Sequence, residues 1–410
     1  MEIDKEKEKQ DYLRIFTLLH KGAPKIDYLR AIIKVFICNM PKIYSTWKNI
    51  PTAKKTFRAV LSDMWVLLTK YHGLTVIYQD VNLFIDEYFT ERIHEPNRSI
   101  HEYLLEREAI HLVSISSYNR LSQIKKIDNK ESGWHFLTSK KLPTTQRLGH
   151  IVSSHNQLQW HSPNGEYHNI EELFHIRSRV FTKPDDAALG EGCGILELTS
   201  SGTFLLNGKA KSRHELLQHF YKPYIIEEII QQKSFASAPH KNSLNTLRII
   251  TFKSPKDGIF VERAIFRMGA NGATTDNWCT GGIGVKVNEN GELDECGYFH
   301  NPNIPPCTKH PDTGLTFKGY SLPDYEDAKK LVLKAHSLLG INAVGWDIAF
   351  TENGPIIVEM NPYFSIFQPQ CGGLRKFIYN NYLQKARGNS AIILDLEKNT
   401  NCTSTSLSNR

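Results

Sequence analysis

The stretch GWDIAFTENGPIIVEMN, Gly345 to Asn361, sets two acids and an amide where together they could hold a divalent cation. Apolar residues alternate on either side of TENG, the pattern of two antiparallel strands, and Asn353-Gly354 is turn chemistry. A three-residue loop of Glu352, Asn353 and Gly354 sets Ile348 against Val358 and Phe350 against Ile356, gathering the apolar side chains on one surface with Met360. Asp347 then lies opposite Glu359, and Asn361 follows two positions on along the same side. A two-residue loop would slip the register and scatter them. Opposed carboxylates repel unless positive charge sits between them. Two carboxylates with an amide oxygen form an all-oxygen ligand set of the kind Mg²⁺ takes. A solvated hairpin face carrying scattered acids accounts for the same residues.

Other stretches carry chemistry of their own. In FTKPDDAALGEGCGILEL, Lys183 ends a strand before a loop containing Gly190, Gly192 and Gly194. Glycines let backbone N–H groups approach phosphate oxygens, and a nearby lysine adds a positive charge. The spacing is neither GxxxxGK[ST] nor GxGxxG, and a flexible hairpin turn fits equally. YIIEEII, Tyr224 to Ile230, reads as an apolar strand interrupted by Glu227 and Glu228, able to offer backbone groups to a purine base; ordinary edge-strand acids explain it as well. Arg248, Arg263 and Arg267 lie on strands, where an arginine beside a cation site would neutralise phosphoryl charge or simply form a structural ion pair. HELLQH is not a zinc-protease motif, because its five-residue step turns His219 off the helix face of His214.

These residues must be positioned by a chain of 410 residues, long enough for two or three domains. Composition is that of a globular protein, with 40% hydrophobic and 23% charged residues. Seven cysteines without a CxxC pair argue against a disulfide framework or a zinc site and point to the reducing cytoplasm. No apolar run approaches the ~20 residues that span a bilayer, and the N-terminus lacks a secretory pattern. Residues 1–60 hold thirteen Lys and Arg against six Asp and Glu, so this segment carries the whole formal excess of +7. Its basic, amphipathic helices are core-packed with a solvated face, or touch an anionic membrane surface or an acidic partner. Nucleic acid is disfavoured, since the excess is small and lacks interleaved aromatics.

From Asp4 to about Ile124 the periodicity is helical, including TFRAVLSDMWVLLTKYHG, ended by Gly73, and IHEYLLEREAIHLVSISSYNRLSQI. From Pro143 onward, short strands and turns dominate, with a hairpin at Asn207-Gly208 and a helix in DYEDAKKLVLKAHSLLG. The polar end KNTNCTSTSLSNR reads as disordered.

A lysine before a glycine loop, an acidic apolar hinge, strand arginines and then Asp…Glu-x-Asn follow the order of the ATP-grasp superfamily. SLNTLRIITF, TTDNWCTGGIGVKV, HPDTGLTFKGYSLP and GWDIAFTENGPIIVEMN resemble the blocks of its sugar-transfer-associated family, which is related to α-L-glutamate ligase-like proteins. The resemblance spans roughly residues 120 to 370. It implies an α+β ATP-grasp fold, two subdomains clasping ATP, after a mainly helical N-terminal region. The expected division is 1–125 helical, 126–236 lid with the Lys/Gly loop, 237–385 metal- and substrate-binding, and 386–410 a polar tail.

The same resemblance assigns roles. Asp347, Glu359 and Asn361 would hold Mg²⁺; Lys183, and Lys130 in DNKESGW as the earlier lysine of the pattern, would contact ATP phosphates under the glycines at Gly190 and Gly192. Adenine would meet backbone at Glu228 and Ile230 with Glu227 near its amino group. Arg267 and Arg248 would act on the transferred phosphoryl group or substrate carboxylate, and Asn277, Gly281 and Gly282 would lie in a mobile acceptor-side loop. One departure is Gly345, where some ATP-grasp ligases carry an arginine. The implied reaction joins a carboxylate, small or saccharide, to an amine through an acylphosphate, in cell-surface polysaccharide modification. A sugar-hydroxyl kinase and a nucleotide-binding scaffold in polysaccharide machinery are the alternatives.

Overall fold

The computed structural model describes residues 25–70, 81–106, 124, 127, 129–154, 157–185, 192–254, 258–362, 364–367 and 371–375. The expected helix stop at Gly73, the glycine at 190 and the tail 386–410 lie outside them.

The described N-terminal residues are mainly helical. Helix α1 (Lys25–Ile33) runs into a π-helical turn, Lys34–Cys38, and is followed by α2 (Met40–Asn49), α3 (Phe57–Lys70) and α4 (Val81–Thr90). Apolar residues at helical spacing, Val60, Met64 and Leu67 on α3 with Phe84, Ile85 and Tyr88 on α4, meet in one core. The helical expectation fails over residues 100–105, which form turns and extended chain. There the carbonyls of Ile100 and Tyr103 accept hydrogen bonds from buried Arg375, at 2.9 Å each, and Leu104 packs against a separate core with Ile250 and Phe364. Tertiary partners outweigh the local periodicity. Arg92 fastens the helical region to the rest of the chain, donating from Nη2 to the Ile304 carbonyl at 3.0 Å.

Two antiparallel sheets follow. The first has eight strands, β1 (Arg147–Ser154), β2 (Gln157–His161), β3 (Tyr167–Asn169), β4 (Arg179–Pro184), β5 (Gly194–Leu198), β6 (Phe204–Leu206), β7 (Lys209–Lys211) and β8 (Tyr224–Glu227), in the order 3-2-1-8-4-5-6-7. Helix α5 (Lys130–Ser139) precedes it; α6 (Ile170–Ile176) and α7 (Arg213–His219) pack on it. The strand expected over Tyr224 to Ile230 stops at Glu227. Glu228 donates its N–H to the Gln146 carbonyl at 3.0 Å, after which the chain leaves the sheet, and Lys233 N–H reaches the Phe350 carbonyl of the second sheet at 2.9 Å.

The second sheet has six strands, β9 (Thr246–Ser254), β10 (Gly258–Met268), β11 (Ile283–Val287), β12 (Leu293–Phe299), β13 (Ala343–Thr351) and β14 (Gly354–Asn361), in the order 12-11-10-9-13-14. Helix α8 (Ser234–Ser237) leads in, and α9 (Tyr325–Ser337) covers one face. Trp346, Ile348 and Phe350, alternate residues of β13, join Ala328, Val332 and Ala335 of α9 in the main core. Burying side chains of this size is worth about 2 to 3 kcal/mol each. Period 2 then turns Asp347 to the other face. Among the described residues, no helix is long and apolar enough to cross a membrane.

Candidate functional site

The loop joining β13 to β14 holds two residues, Glu352 and Asn353, and Thr351 pairs with Gly354. The expected three-residue loop is therefore wrong, as are two of its pairings: Ile348 faces Ile357 rather than Val358, and Phe350 faces Pro355 rather than Ile356. Unrelieved, that register would set Asp347 against Val358. A β-bulge between Asp347 and Ile348 absorbs one residue of β14, and Asp347 ends directly opposite Glu359. Edge strands accommodate such bulges, and β14 is the edge of its sheet. Asn361 faces Gly345 on the same side, with Nδ2 3.4 Å from Asp347 Oδ2.

Strand order adds the arginines. Arg248 on β9 lies opposite Asp347 and grips both carboxylate oxygens, Nε on Oδ1 and Nη2 on Oδ2 at 2.9 Å. Arg267 on β10 reaches the same Oδ2 with Nη2 at 3.1 Å. Burial alone would push the Asp347 carboxyl up, but the two guanidiniums outweigh it and hold it below the usual carboxylate range. Glu359 goes the other way: burial and the Asp347 charge raise it, against the pull of Lys183 and Lys130. Two opposed acids thus titrate apart, one charge-stabilised by arginine and the other destabilised by its neighbour.

The first sheet supplies Lys183, and α5, which packs against β14 of the second sheet, supplies Lys130. Lys183 pairs in register with Ile225, and its Nζ lies 2.8 Å from Glu227 Oε2. Glu227 sits on a central strand, buried, rather than on an edge; its other oxygen accepts from Thr145 Oγ1 at 2.8 Å, so both oxygens are engaged. Lys130, at the first position of α5, donates to the Pro184 carbonyl at 3.0 Å. The start of that helix is fixed by Asn129, whose Oδ1 accepts from Ser132 N–H at 2.7 Å. Gly192 has φ +74, and a Cβ there would stand 2.9 Å from both Pro184 Cγ and Tyr224 Oη, so this turn admits glycine only. Glu228 points elsewhere, its carboxylate held by Arg177 with Nε at 2.7 Å, and Ile230 lies in half-buried irregular chain.

Arg263 stays outside this cluster, bound to Glu262 and the Ile366 carbonyl. Asn277 caps a 3₁₀ turn, Trp278–Thr280, ended by Gly281 at φ +107, while Gly282 N–H returns to the Asn277 carbonyl at 2.9 Å. No sequence pattern singles out Thr246, Asp276 or Arg147; the Nη2 of Arg147 donates to the Lys130 carbonyl at 2.7 Å. Asp276 stands directly before Asn277 in a quoted block, but nothing local shows that it reaches Arg267. At Gly345 a Cβ would fall 2.5 Å from Phe364 Cβ; Phe364 occupies the space that any side chain at this position would need.

Among the described residues, no group of three His, Cys, Asp or Glu side chains could hold a metal; the set at β13 and β14 is two carboxylates and an amide. Its donors are all oxygen if the Asn361 amide turns over, and a cation between Asp347 and Glu359 would relieve their repulsion. Asp347 would then share oxygens now held by Arg248 and Arg267.

A model of the sugar-transfer-associated ATP-grasp family matches residues 113–377, well over half of the chain. No protein of curated function matches. Among solved structures, an ATP-grasp ligase PsnB complexed with a minimal precursor is 12% identical, with TM-score 0.36, over 64% of this chain and 63% of that one. D-alanine–D-alanine ligase from Bacillus anthracis complexed with ATP is 11% identical, with TM-score 0.35, over 64% and 68%. A carboxyaminoimidazole ribonucleotide synthase from Aspergillus clavatus complexed with ATP is 14% identical, with TM-score 0.32, over 59% and 46%. The chain thus spans less than two thirds of the first of these.

Proposed function

Because the chain belongs to the sugar-transfer-associated ATP-grasp family, we propose that it is an ATP- and Mg²⁺-dependent carboxylate–amine ligase acting in cell-surface polysaccharide modification. The observation that carries this reading is the pair Asp347 and Glu359, opposed across one ladder, with the charges of Lys183, from the first sheet, and Lys130, from α5, acting on Glu359. Acids and lysines brought together from separate elements suit a triphosphate held between them.

In this reading Asp347, Glu359 and Asn361 would hold Mg²⁺, which would supply positive charge to the phosphates. Lys183 and Lys130 contact the phosphates, and the turn at Gly192 brings backbone against them. The backbone of Glu228 and Ile230 faces adenine. For Glu228 this leaves the carbonyl, since its N–H is bonded to Gln146. A substrate carboxylate oxygen attacks the γ-phosphorus, the bond to the β,γ-bridging oxygen breaks and ADP leaves. The amine then attacks the acyl carbon, phosphate departs, and the amine nitrogen gives up a proton. Arg267 and Arg248 would neutralise charge on the transferred group or the substrate carboxylate. No protein nucleophile is needed; positioning and charge supply the rate.

The test is ADP release across a matrix of uronic acids and amino acids. ADP and phosphate in equal amounts, dependent on both partners, support the ligase. ADP with a stable phosphoester instead assigns a sugar kinase, and Mg-ATP binding without ADP from any pair assigns a scaffold.

A further inference from the structure

Arg267 lies between two buried acids. Asp347 Oδ2 meets its Nη2 at 3.1 Å, and Asp276 Oδ2 meets its Nε at 3.4 Å. Thr246, paired with Arg267 across β9 and β10, closes the gap: its Oγ1 accepts from Arg267 Nη2 at 2.8 Å and Nε at 3.2 Å, and donates to Asp276 Oδ2. The Thr246 N–H donates to that same oxygen at 3.0 Å. Asp276 is itself held in place. Thr275 bridges to Leu244, and Gly282 packs so closely on the chain that a Cβ would fall 2.5 Å from the Asp276 carbonyl oxygen. Arg248 differs, for both its Nε and Nη2 bonds end on Asp347.

We propose that Asp276 is a positioning residue for Arg267, fixing the guanidinium through Thr246. A buried guanidinium needs a counter-charge to stay in place. Were Asp347 drawn toward a cation, Arg267 would still have Asp276 and Thr246, whereas among the described residues the Arg248 bonds to a carboxylate end on Asp347 alone. The loop at 276–282 thereby sets the geometry of an arginine that the proposed function assigns to the transferred phosphoryl group. The effect on turnover rests on the ligase reading; the anchoring does not.

Two measurements separate these. The Nε–H signal of Arg267 in nitrogen-15 spectra, assigned by its loss in Arg267→Lys, should exchange slowly with solvent in the wild type and in Asp347→Asn. In the isosteric Asp276→Asn it should exchange at least about tenfold faster. An unchanged signal in Asp276→Asn, or its loss in Asp347→Asn alone, overturns the proposal. In turnover, Asp276→Asn should lower kcat about tenfold while KM for ATP moves less than about twofold and the melting transition stays cooperative. Thr246→Val should behave likewise and Thr246→Ser as wild type. A KM effect without a kcat effect counts against it. If Asp276→Asn does not fold, Thr246→Val is read the same way. A wild type that releases no ADP defeats the ligase reading, and the exchange measurement still decides Asp276.

Discussion

Arg248 and Asp347 face each other across β9 and β13, and the guanidinium of one closes both oxygens of the carboxylate of the other. Asp347 is 3% exposed and Arg248 7%. Breaking a pair this deep leaves a buried charge, which costs about 3 to 5 kcal/mol when nothing replaces the partner. Here Arg267 remains, so Arg248→Met should cost toward the low end, about 3 kcal/mol, in denaturant unfolding. A loss under about 1 kcal/mol would mean that the pair is solvated.

Glu359→Gln separates chemistry from stability. The acid is raised by burial and by Asp347, so its charge opposes the fold. The amide should leave the melting temperature equal or higher while ATP turnover falls below detection. Near-normal ADP release in this variant would remove Glu359 from the proposed metal set.

Lys183 and Glu227 can be separated by a double-mutant cycle. Lys183→Ala should weaken nucleotide binding and also destabilise the fold, because Glu227 loses an ammonium 2.8 Å away. Adding Glu227→Gln should recover about 1 to 3 kcal/mol of stability without recovering nucleotide affinity. Calorimetry with ATP and a thermal melt read the two arms; joint recovery would refute the separation.

Acid should unfold the protein through His336. Its Nε2 lies 3.0 Å from the Ile341 carbonyl and so carries the proton, while Nδ1 accepts from the Thr251 hydroxyl, which accepts from Trp346 Nε1 at 2.7 Å. Burial lowers this imidazole from 6.5 to about 4. The unfolded chain therefore takes a proton first: stability is whole above pH 6.5, falls as pH drops from 6.5 toward 4, and levels off below. The loss is about 3 kcal/mol. Buried His94, lowered to about 3, adds to it with the same sign. In His336→Gln the slope of unfolding free energy over pH 4 to 6.5 should shrink by about one proton. An unchanged slope would exclude His336.

Alternation along GWDIAFTENGPIIVEMN put Asp347 and Glu359 on the two strands of one hairpin, because period 2 and a tight turn are local properties, but their direct opposition rests on a bulge that alternation does not contain. The reason was only half legible. The loop is one residue shorter than expected, and the compensating bulge depends on β14 being an edge strand, which no local pattern states. Likewise YIIEEII reads as an apolar strand, but its central place in the sheet and its end at Glu227, where the chain crosses to Phe350, are tertiary.

By itself the sequence determined which residues carry charge, which segments turn, and which side chains share a strand face. The tertiary structure decided their partners. Arg248 finds Asp347 ninety-nine residues away because β9 lies beside β13, an order unlike that of the chain, and Arg267 of β10 meets Asp276 through Thr246 of the neighbouring β9. Ion pairs of this kind are set by which strands become neighbours, and that is chosen by the burial of whole faces, such as Trp346, Ile348 and Phe350 beneath α9, rather than by any short motif.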